Sequence, residues 1–164
     1  MKRTQVFRLA VGTVAAAAAL ALAIPAYATP PQSQSFTASQ LDSMSCAGFE
    51  AKIERNFTGR ETVYFDEQGN PVRVQVLAEM RGSVTNSVTG KAVALRGQIQ
   101  VVIDLTVGST TFVGPVFMAN DRGVGSVIKD TGRVVFDVDG NIAFEAGPHD
   151  AIDTNGAVFC SAVS

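Results

Sequence analysis

Residues 72–105 alternate apolar and polar with a period of two, over a length that leaves little choice of secondary structure. Val72, Val74, Val76, Ala78, Met80, Gly82 and Val84 fall on one side. Arg73, Gln75, Glu79, Arg81 and Ser83 fall on the other, interrupted only by Leu77. Residues 86–91 (Asn-Ser-Val-Thr-Gly-Lys) form a polar turn. The return run sets Val93, Leu95, Gly97, Ile99, Val101, Ile103 and Leu105 against Arg96, Gln98, Gln100 and Asp104. Successive side chains of a strand point to opposite faces, so this pattern predicts two long antiparallel strands, each burying one face. Both exceed the usual strand length of about five to six residues. Gly82 and Gly97 sit on the buried side, where a missing side chain lets a long ribbon bend and coil.

Hairpins recur along the chain. Residues 134–146 place two β-prone runs on either side of Asp139-Gly140, a dipeptide suited to a tight turn needing positive φ. Residues 63–74 echo them. Both stretches carry Phe-Asp-x-x-Gly-Asn and both follow Thr-Gly-Arg (Thr58 and Thr131 onward). Upstream, Phe49, Ala51, Ile53 and Phe57 alternate with Glu50, Lys52, Glu54 and Asn56, and Arg55 breaks the apolar side. Downstream, residues 110–118 read as a strand bent at Gly114-Pro115. Val127-Ile128 read as a short strand before Asp130-Thr131-Gly132, 147–156 form a loop, and 157–163 read as the last strand. The expected fold is all-β: about eight antiparallel strands in a meander, closed or nearly closed into a barrel, with a β-sandwich as the alternative.

The N-terminus reads as a secretory signal. Lys2, Arg3 and Arg8 precede or open an Ala-rich apolar run, and Ala26-Tyr27-Ala28 offers small residues where a signal peptidase cuts. No Cys follows to take a lipid anchor, and no Arg-Arg pair precedes the run. The expected organisation is a signal peptide over residues 1–28, a disordered polar leader over 29–45, and a single β-barrel domain over 46–164. The product is expected outside the cell. Cys46 and Cys160 are the only cysteines, near the two ends of that domain. In an oxidising compartment they are expected to form one disulfide.

Charge narrows the function classes. Losing three basic residues of 13 with the signal leaves 10 against 15 acidic ones, a net charge of −5. An acidic domain without a basic cluster suits neither nucleic acid nor an anionic membrane surface. The mature chain has no Trp and one Tyr, Tyr64, but nine of the ten Phe. That composition fits a core or the lining of an apolar cavity better than an aromatic sugar-binding platform.

Candidate chemistry is sparse. His149 is the only histidine and stands beside Asp150, with Asp153 nearby; a carboxylate partner would make it a general base. No Gly-x-Ser-x-Gly nucleophile motif accompanies it. Asp137, Asp139 and Asn141 alternate like the start of a calcium loop, but the glycine falls too early and no Glu closes the loop. Turn chemistry accounts for them, and no metal or cofactor is expected. Glu79 and Arg96, with Arg55, are candidate polar groups at a barrel mouth.

Several features resemble a set of small secreted β-proteins of actinobacteria. They are the Ala-rich signal, Cys46 followed by Phe49, the Thr85-Asn86-x-x-Thr89-Gly90-Lys91 turn, Gly132-Arg133-Val134-Val135-Phe136, Ala146-Gly147 and Phe159-Cys160. That resemblance implies structure and carries no catalytic residue. In outline the architecture is also similar to the allene oxide cyclase and dirigent barrels, with no active-site residue in common. The leading expectation is a secreted, non-enzymatic module binding an apolar small molecule, or an extracellular accessory protein. A cyclase- or isomerase-like enzyme in the barrel cavity and a cell-envelope structural or interaction protein are the alternatives.

Overall fold

The computed structural model describes residues 29–121 and 123–164, so the signal segment 1–28 lies outside the described residues. Seven antiparallel strands run in sequence order across one sheet: β1 (Gln32–Cys46), β2 (Phe49–Phe65), β3 (Pro71–Asn86), β4 (Ala92–Asp104), β5 (Ser109–Asp121), β6 (Gly125–Phe136) and β7 (Ile142–Ala146). Two short helices follow, α1 (Asp150–Asp153) and α2 (Ala157–Val163). The meander is therefore as expected, one strand short of the expected number, and β1 and β7 remain its two edges rather than closing by hydrogen bonds. No helix among the described residues is long and apolar enough to cross a membrane.

The register explains which residues share a face. Ile53 pairs with Val84 and Val84 with Val93; Arg55 pairs with Gly82, Gly82 with Leu95, Leu95 with Ala119, and Ala119 with Ile128. This inner face holds the core, where Met80, Val84, Leu95, Phe117, Ala119 and Ile128 are buried. Helix α2 packs onto it, in contact with β1, β2, β3, β4 and β6. The Phe159 ring of α2 meets the Phe117 ring edge to face, 5.8 Å between centroids. The helix thus covers part of the inner face, while the edge strands β1 and β7 are not joined by a ladder.

Two expectations need correction. Residues 157–163 are a helix, not a strand. Phe159, Ala162 and Val163 are its buried residues, a three-and-four spacing that fits one helical face. The 147–156 loop likewise contains α1. The second correction concerns 29–45, expected to be disordered. Gln32–Cys46 is a strand of 15 residues, paired with β2 along its whole length. Its odd-numbered side chains are all exposed, and the half-buried ones on the other face (Phe36, Gln40, Asp42, Met44 and Cys46) mix polar with apolar residues, so no clear apolar alternation marks the strand in sequence. The backbone ladder and cross-strand contacts such as Ser33–Thr62 (2.8 Å) and Ser39–Asn56 (2.7 Å) hold it.

The glycines at the bend have a steric reason. A Cβ on Gly82 would run into the Glu54 carbonyl, and one on Gly97 into the carbonyls of Val116 and Pro115. The β4–β5 register breaks between Arg96 and Gln100, beside Pro115, which has no N–H for the ladder. Gly82→Val or Gly97→Val is expected to cost about 1–3 kcal/mol or more by forcing strands apart. Urea unfolding midpoints would check this; midpoints unchanged within error would show that the close approach does not constrain the fold.

Candidate functional site

The repeated Phe-Asp-x-x-Gly-Asn motifs end β2 and β6 with the same turn. Asp66 Oδ1 accepts the N–H groups of Gln68 and Asn70, and Oδ2 accepts the Asn70 amide. Asp137 repeats this with Asp139 and Asn141. The Asn70 side-chain amide leads the contacts that hold the Asp66 carboxyl below its usual range, and the Asn141 N–H leads those for Asp137. The oxygens a calcium ion would need on Asp137 are engaged in strand reversal. No group of three or more acidic, His or Cys side chains suited to a metal occurs among the described residues.

His149 is placed by the turn that leaves β7. Thr131 donates its N–H to the Pro148 carbonyl, and Asp130 of β6 forms a bridge with His149. Both side chains are buried, His149 at 1% and Asp130 at 3% exposure. His149 Nδ1 lies 3.2 Å from Asp130 Oδ1, and Nε2 lies 3.2 Å from the Ala146 carbonyl. A carbonyl only accepts, so Nε2 carries a hydrogen. Asp130 Oδ2 accepts the Ala151 N–H, 3.2 Å away. Burial pushes the Asp130 carboxyl above its usual range, against the pull of His149. One proton shared between carboxyl and imidazole satisfies every polar atom of the pair. Neither ring nitrogen is left for substrate or metal, and the pair clamps β6, the end of β7 and α1 together.

The other sequence candidates stand elsewhere. Asp150 accepts the Lys129 N–H at 2.6 Å and turns its carboxylate to β6, not to the imidazole. Glu79 and Arg96 lie on the outer face, exposed, rather than at a barrel mouth. Glu79 pairs with Gln98, whereas Arg96 stands opposite Arg81. The structure brings none of the four together.

Among the described residues the outer face carries a groove of ligand size. An open groove of about 770 Å³ crosses the middle of the sheet. Leu77, Val113 and Pro115 give it an apolar floor, while Thr58, Glu79 and Gln98 supply polar groups. Thr58, Glu79 and Gln98 are successive register partners, so they stand in one row across β2, β3 and β4. Leu77 is half exposed there, at 50%. It is the residue that interrupts the polar side of β3 in the sequence.

A polar group inside the inner face was not foreseen as a unit. Arg55 makes an ion pair with Asp42 of β1, and its guanidinium lies 5.8 Å from the Phe117 ring centroid. Gln40, directly across from Arg55, leaves Oε1 buried without a protein partner, as does Arg55 at Nε. Arg55 announced itself by breaking the apolar alternation of β2. Asp42 and Gln40 did not, because Gln32–Cys46 is rich in Ser and Gln and shows no clear apolar alternation. The pairing places both charges next to apolar neighbours without leaving either uncompensated.

The disulfide between Cys46 and Cys160 is present and joins the end of β1 to α2. No protein-family model, curated protein or solved structure matches this chain.

Proposed function

We propose that the domain is a secreted, non-enzymatic binding module, and that it holds a small molecule with a substantial apolar surface in the outer-face groove. The groove itself carries this reading. Its volume is within the roughly 300–1,000 Å³ range of small-molecule sites, and it combines an apolar floor with a few polar groups at fixed register positions. The inner face is a less suitable host, since Met80, Leu95, Phe117 and Phe159 fill it. Binding is favoured over catalysis because the one histidine has both ring nitrogens engaged. The Cys46–Cys160 bond favours an oxidising compartment.

Titration with Nile red, an uncharged apolar fluorescent probe, is expected to show saturable binding. Leu77→Asp replaces an apolar contact at the floor with a charge and is expected to weaken that binding about tenfold or more. The half-exposed position predicts an unchanged unfolding midpoint. Absence of saturable binding, or equal binding by the variant, would refute the groove as the site.

A further inference from the structure

We infer that β1 is a self-association edge, through which two copies of this chain join their sheets antiparallel about a two-fold axis. Among the described residues β2 is the only strand beside β1, so its other side presents a row of backbone donors and acceptors. Native proteins blunt such edges with lysine, proline, bulges, short strands or inward-pointing charges. β1 has none of the first four, and its one inward-pointing charge, Asp42, is paired with Arg55 of the same chain. It runs for 15 residues without Pro, Gly, Lys or Arg, and its ladder with β2 is continuous. Among the described residues α2 touches β1, and Cys160 Sγ lies 3.9 Å from the Ser45 carbonyl at the far end of the strand. The stretch from Gln32 to Ser43 is a regular template for another strand.

The side chains favour a second copy as the occupant. Ser33, Ser35, Thr37, Ser39 and Ser43 lie on one face of β1, with Leu41 among them. A hydroxyl both donates and accepts, so such a row complements itself under two-fold rotation. Turning the strand about Ala38 sets Ser33 opposite Ser43 and Thr37 opposite Ser39. Asp42, the only charge on β1, is engaged by Arg55 of its own chain and would face Gln34 of the second copy. No like charges meet. The alternative head-to-tail pairing with β7 offers only five residues and would propagate without closing. The two-fold arrangement consumes the long edge in both copies at once.

Sedimentation equilibrium of the full chain, produced in an oxidising compartment, is expected to show a concentration-dependent dimer. Thr37→Lys combined with Leu41→Lys, both at exposed positions, brings cations close across the axis. That variant is expected to weaken dimerisation about 100-fold, given the several kcal/mol that like charges cost at an interface, with its β-sheet circular dichroism retained. Amide hydrogen exchange needs no variant, and β1 amides are expected to gain protection with concentration. A monomer at all concentrations would overturn the inference. So would a dimer that survives the double substitution, or concentration-dependent protection confined to another element.

Discussion

Replacing both Cys46 and Cys160 by serine is expected to lower the unfolding free energy by about 4–5 kcal/mol, the chain-entropy value for so long a loop. The bond spans 114 residues of sequence and constrains nearly the whole domain in its unfolded state. A loss of that size is a large share of the about 5–15 kcal/mol typical of a domain. The effect has a local part too. α2 is seven residues long, too short to persist as an isolated helix. It stays helical by burying Phe159, Ala162 and Val163 against the sheet, and the disulfide tethers it there. Without the tether, α2 undocking would expose the inner face around Met80 and Phe117. Urea unfolding with and without reductant would measure the global loss. Both cysteines are partly exposed, so a soluble reductant can reach them without prior unfolding. A serine variant within about 0.5 kcal/mol of the wild type would show that α2 packing alone sets the stability, since surface changes away from special features typically fall in that range.

The elements legible in the sequence are those whose stability comes from one buried face. β2, β3 and β4 show it as alternation, with breaks that include Arg55 and Leu77. These two mark places where the structure does something other than bury an apolar side chain. Arg55 takes Asp42 beside Phe117, and Leu77 lines the groove. The turns were legible because Asp66 and Asp137 act on N–H groups two and four residues ahead, a wholly local device. β1 was not legible, because a ladder of backbone bonds leaves no mark on side-chain hydropathy. α2 was ambiguous for another reason. Phe159-Cys160-Ser161-Ala162-Val163 satisfies alternation at Phe159 and Val163 and the helical spacing at Phe159, Ala162 and Val163. The buried Ala162 decides for the helix, and only the tertiary context supplies that burial. His149 invited a search for a carboxylate close in sequence. Its partner, Asp130, lies 19 residues away and is brought to it by the β6–β7 hairpin, a long-range placement that spacing alone does not reveal.

Removing either member of that pair is expected to be the other large effect. His149→Ala leaves Asp130 buried without its proton partner and frees the Ala146 carbonyl; Asp130→Ala strands the imidazole and the Ala151 N–H. Each is expected to cost about 1–3 kcal/mol, the range for leaving buried hydrogen-bonding groups unsatisfied. Asp130→Asn should behave differently. An asparagine oxygen can accept the Ala151 N–H while its amide donates to Nδ1, as a protonated carboxyl would. Its expected cost is about 1 kcal/mol, one ordinary hydrogen bond. Acid dependence then tests the charge state. Burial raises the Asp130 pKa from its ordinary 3.8 in the folded protein, so the native state holds this proton more tightly than the unfolded chain does. That contribution is full below pH 3.8 and fades as pH rises through the raised value. The wild type should therefore be most stable relative to Asp130→Asn at the acid end, and its advantage should shrink as pH climbs. Urea midpoints for both proteins across a pH series would read this directly. An advantage that grows with pH would mean that Asp130 is held as a carboxylate against a charged His149. The clamp would then be an ion pair, and the asparagine variant should lose as much as the alanine one.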